Sequence, residues 1–89
     1  MNTSMLKTYR QAIVEASLRE IGKIHEELEK DVFRGQNTYD RGAISWEDLK
    51  ALESQLNADA DHKIEQVRET RRFALIALGD EVEARREQR

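Results

Sequence analysis

Cysteine and proline are both absent from this chain, glycine occurs four times in 89 residues, and one Trp, two Tyr and two Phe make up its aromatics. The missing cysteine removes disulfides, thiolate metal sites and cysteine nucleophiles together, and gives no reason to expect an oxidising compartment. With no proline, the glycines are left to divide the chain. No apolar run comes near the roughly 18 residues of a membrane span, and the N-terminus has no signal-peptide core. We therefore expect a cytoplasmic protein without membrane contact. A dominant charge sign is lacking too. The chain has 15 Lys and Arg against 18 Asp and Glu, a net of −3, which does not mark a nucleic-acid binder. At this length one domain over 1–89 is the ceiling, and 38% hydrophobic residues leave little to bury.

What the chain does have is helical periodicity. Apolar residues recur at Leu6, Tyr9 and Ile13, then at Val14, Leu18, Ile21, His25, Leu28 and Val32, a seam of heptad type that Ile13 and Ile24 widen. Thr3 or Ser4 can cap the start, and Lys30, Arg34 and Gly35 supply the stop signals, so the spacing predicts a first helix over 4–33. Residues 34–44 are rich in turn formers and have no period, which predicts a loop. Ser45-Trp46-Glu47-Asp48 then reads as a capping box, with Ile44 and Leu49 placed as its hydrophobic staple.

Beyond it a stripe runs through Leu49, Leu52, Leu56, Ala60, Ile64 and Val67, and continues through Leu75, Leu78 and Val82 with Arg71 filling the gap. Nine steps over 33 residues give about 3.7 residues per turn, which predicts a second helix over 45–87. Asn57, Asp59 and Asp61 are poor helix formers, so a chain broken near 57–61 is the alternative. Gly79-Asp80 is a place for a kink.

The fold class is all-α, a long helical hairpin. Phe73-Ala74-Leu75-Ile76-Ala77-Leu78 is apolar right round the helix and falls near the start of helix one, where cover within the chain is thinnest. That belt predicts self-association through Phe73, Leu75, Ile76 and Leu78, as a homodimeric four-helix bundle or a higher oligomer. Acidic and basic blocks alternate along helix two, from Glu47–Glu65 to Arg68–Arg72. They would meet opposite signs in an antiparallel pair, or else form a solvated face of local ion pairs.

A catalytic set is not legible. His25 and His62 sit in no metal-binding pattern; Asp59 and His62 are three apart but read as solvent-exposed, and His25 reads as a packed seam histidine. No phosphate-cradling glycine loop occurs, so we expect no enzyme, no metal and no cofactor. The binding candidates are cationic and aromatic. Arg68, Arg71 and Arg72 beside Phe73, and Arg10 beside Tyr9, are placed to contact phosphates or carboxylates. With Arg71 on the apolar stripe, a guanidinium points inward and needs a partner, for which Glu20, Glu27 or Glu29 of helix one are candidates. The loop region gathers Phe33, Arg34, Tyr39, Arg41 and Trp46, the residue types that dominate binding hot spots. The plainer reading is that Phe33 and Trp46 close the hairpin end as a small satellite core.

Tyr9-Arg10, followed by Leu18, Ile21 and Lys23, resembles over about 15 residues the small phage proteins that sequester cyclic-nucleotide immune signals. In that family a Tyr and a Lys of the first helix hold the ligand, and the Tyr9 to Lys23 spacing is one residue shorter. The resemblance implies a nucleotide sponge with Tyr9 and Lys23 as its contacts; as a hypothesis from the residues themselves, phosphates would sit on Arg68, Arg72 or Lys23 at a subunit boundary. The primary expectation is a non-enzymatic interaction protein, an inhibitor or adaptor of bacterial or phage type. It would bind another protein through Arg34, Tyr39, Arg41 and Trp46. DNA binding through the Arg-rich C-terminus, or DNA mimicry by the acids of 47–65, are weaker alternatives.

Overall fold

The computed structural model describes residues 3–79, with side chains from Met5 onward. Two α-helices, α1 over Thr3–Asp40 and α2 over Trp46–Ala77, pack against each other as a hairpin. The helix is continuous through 57–61, as the stripe's unbroken phase predicts, and the alternative break does not occur: Asn57, Asp59 and Asp61 are all exposed, so their weak helix propensity is overridden by the buried stripe on the opposite face. Packing divides into two units. One joins the stretches up to Ile21 and from Glu65 onward, and the other spans Gly22–Ile64.

In the second unit α1 does not stop where the sequence suggests. Gly35 lies inside the helix and is buried, and the helix continues through most of the expected 34–44 loop as far as Asp40. A Cβ at Gly35 would meet Cδ2 of Leu52 at 2.9 Å and Cδ1 of Leu49 at 3.5 Å, so this glycine serves close helix approach rather than termination. The true stop is Gly42, at φ +79°. The N–H of Gly42 donates to the carbonyl of Tyr39 at 2.8 Å, and that of Ala43 donates to Thr38 at 3.0 Å. This pair of bonds is a Schellman ending. The link to α2 is then only 41–45. Ser45 caps α2 as expected, its Oγ accepting from the Asp48 N–H at 3.1 Å. Leu49 is buried and Ile44 half-buried, at the positions of the staple.

In the first unit the α2 stripe is as expected, with Ile64 at the boundary, then Val67, Arg71, Leu75 and Leu78 at least half covered. The α1 seam is half-buried at Val14, Ile21, Leu28 and Val32 as expected, and departs from expectation at single positions. Leu18 and His25 are exposed, while Ser17 is buried and Ile24, in the other unit, half-buried. Tyr9 is also 46% exposed. At Leu18 the reason is steric: buried Arg71 needs a small polar residue opposite it, and Ser17 supplies one where Leu18 could not. Leu75 is 0% exposed, so it belongs to the intrachain core and not to a surface for self-association. Its burial contributes about 1.5–3 kcal/mol. α2 ends at Ala77 with Gly79 at φ +91°, where the sequence predicts continuation; residues 80–87, Val82 among them, lie outside the described residues.

Candidate functional site

The hairpin end brings three side chains together. Trp46 is the first residue of α2 and remains 51% exposed. The Tyr39 ring meets it edge-on, with centroids 5.6 Å apart and planes at 62°, a favoured aromatic geometry. Nζ of Lys50, one turn further along α2, lies 4.5 Å from the centre of the Trp46 ring. Tyr39 and Trp46 were legible as candidates; Lys50 was not. The signal that finds it is the i,i+4 spacing from Trp46.

The two loop arginines are engaged locally. Nε of Arg41 donates to the Asn37 carbonyl at 3.3 Å, and the Arg41 N–H donates to the same oxygen at 3.1 Å. Arg41 thus satisfies the carbonyl end of α1, where a cation also suits the helix dipole. Arg34 pairs with Asp31 one turn earlier, at 3.3 Å. The satellite core fails: Phe33 and Trp46 are both exposed, and because α1 continues to Asp40, Phe33 lies about two turns before the end of the helix, not at the hairpin end.

The other unit presents an apolar surface. An open groove of about 500 Å³ is lined by Tyr9, Ala12, Ile13 and Ala16 of α1 and by Ala74, Ala77 and Leu78 of α2. Phe73 is 56% exposed, and Cζ of Arg72 stands 4.9 Å from its ring centre. Ile76 is exposed as well.

The phosphate candidates are distributed rather than gathered. Arg72 pairs with Glu69 at 3.6 Å and Arg68 with Glu65 at 3.8 Å, each across one turn of α2. Tyr9 faces the apolar groove, Arg10 is half-buried and Lys23 is exposed. The inward guanidinium is Arg71, and the acceptor that sequence reasoning missed is Ser17, whose Oγ takes Nη1 at 3.0 Å. A polar residue at helical spacing between Ile13 and Ile21 was the available clue. Among the described residues no group of three His, Asp or Glu is placed to hold a metal ion. No helix among them is long and apolar enough to cross a membrane. No family model, curated protein or solved structure matches this chain.

Proposed function

We propose that this chain is a non-enzymatic cytoplasmic interaction protein, an inhibitor or adaptor that docks on another protein with its hairpin end and pairs with itself as a four-helix bundle. The observation that carries the docking reading is the half-exposed Trp46, held by Tyr39 on its edge and by Lys50 over its ring. Trp and Tyr are the side chains that dominate protein–protein hot spots. Here their rotamers are set before any partner arrives, which lowers the ordering cost of binding. Self-pairing is supported by Phe73 and Ile76, which leave apolar area in water on a chain with a small core.

The test is affinity capture from a bacterial lysate with the full chain, its Trp46→Ala and Tyr39→Ala variants, and mass-spectrometric identification of the captured protein. One partner held by the parent and lost by both variants, with helicity unchanged, is the expected result. Equal capture by all three rejects the hairpin end. The sponge reading separates cleanly from this one, because a nucleotide at 100 times its Kd adds about 2.7 kcal/mol to stability. A large thermal shift with any nucleotide would overturn the protein-docking assignment in favour of that ligand.

A further inference from the structure

In a chain in which 37% of residues are charged, one surface carries no charged side chain among the described residues. On α1 the exposed residues Met5, Tyr9, Ala12 and Ala16 follow one another at steps of four, three and four. On α2 the exposed Gln66, Thr70, Phe73 and Ala77 do the same. These two uncharged rows flank the groove floored by Ala12, Ala16, Ala74 and Ala77. Depletion of charge around aromatic side chains is the compositional mark of an interface core.

We infer that this groove is the self-association site, and that Phe73 of each copy seats in the alanine-lined groove of the other. The inference rests on the self-pairing reading above and gives it a location. Three observations select a second copy as the occupant. A face without charge is matched by another face without charge, and this chain supplies one. Knob and hole lie side by side, Phe73 one turn from Ala77, so a two-fold rotation sets each knob over the opposite hole.

The third is area. Tyr9 and Phe73, each about half exposed, leave on the order of 100 Å² apiece. Met5 and the alanine floor bring the patch to a few hundred Å² per copy, so pairing buries several hundred Å² in total, the size of a weak, reversible interface. The ten residues after Gly79 are a poor filling for the groove: seven are charged and Val82 is their only branched apolar side chain. Arg72, paired with Glu69 and stacked against Phe73, forms a charged rim.

Light scattering on the full chain at about 100 µM, with helicity checked by circular dichroism, tests the assignment. The parent is expected at twice its chain mass of 10.4 kDa. Phe73→Glu and Ala77→Glu are expected to run as folded monomers, with the dimer Kd raised about 100-fold or more. Ala77 is exposed near the helix end, so its variant keeps the test valid if Phe73→Glu fails to fold. Leu18→Glu, at an exposed leucine outside the groove lining, is expected to stay dimeric. A dimeric parent whose two groove variants remain dimeric overturns the location and leaves self-pairing standing. A dimer broken equally by Leu18→Glu also overturns the location. A monomeric parent overturns both.

Discussion

Nη1 of Arg71 donates to Oγ of Ser17 at 3.0 Å, joining side chains 54 positions apart in the chain. The Ser17 hydroxyl in turn donates a hydrogen bond to the Val14 carbonyl at 2.7 Å, so it acts as both donor and acceptor. Arg71 is only 9% exposed, and removing an acceptor from a buried cation costs about 1–3 kcal/mol. Ser17→Ala is therefore expected to lower Tm by roughly 5–15 °C in a domain of this size. Arg71→Met fills similar space without a polar group and is expected to lie within about 1 kcal/mol of the parent, or above it. Thermal melts followed by circular dichroism decide this; an Arg71→Met protein that melts below Ser17→Ala would contradict it.

The glycines respond to substitution in three different ways. At Gly22 an added Cβ meets nothing within 4 Å and the residue lies inside α1, so Gly22→Ala is expected to stabilise by about 0.5–1 kcal/mol. At Gly35 the same methyl gains helix propensity but displaces Cδ2 of Leu52, the mobile tip of a side chain. Gly35→Ala is expected near neutral, and Gly35→Leu destabilising by about 1–3 kcal/mol through overpacking. At Gly42 the φ of +79° penalises any side chain, so Gly42→Ala is expected to cost about 1 kcal/mol. Urea midpoints measured on the four variants give the order directly, and a stabilised Gly42→Ala would refute the assigned ending.

Ser45 does one job that the sequence announces and the geometry confirms, accepting the Asp48 N–H at 3.1 Å. Ser45→Ala is expected to cost about 0.5–2 kcal/mol, and Ser45→Asp to stay close to the parent, because a carboxylate serves the same N–H group and the helix dipole. Guanidinium titrations of the two proteins should give different midpoints with the same slope. Equal midpoints would show that the cap contributes nothing.

The legible parts of this fold are those in which one residue type carries one meaning. Leu49, Ala60, Ile64 and Leu75 fall on a single stripe, and Arg71 declares itself by interrupting that stripe without breaking its phase. Helix α1 is harder because two of its deciding residues are ambiguous. Ser17 is polar, and hydropathy prefers its neighbour Leu18; only the demand of a cation on the other helix makes serine the buried choice. Gly35 has the form of a terminator, yet it is used for its lack of a side chain under Leu49 and Leu52. The turns that follow it, Gln36 to Asp40, have weak helix propensity and are helical all the same. Tyr39 there gains the ring of Trp46, and Thr38 Oγ1 donates to the Arg34 carbonyl at 2.8 Å. The ring contact is tertiary and leaves no trace in local periodicity. The aromatic pair itself was legible as composition, but its geometry depends on those unannounced turns.

The link between the helices is tied off on both sides, by Gly42 and Ala43 to the end of α1 and by Ser45 to the start of α2. A hairpin end fastened this way has few conformations to give up, which would favour the docking proposed above. Splicing extra residues in after Ala43 would leave Tyr39, Trp46 and Lys50 in the chain, yet it should let the two rings drift apart and so weaken whatever docking they support.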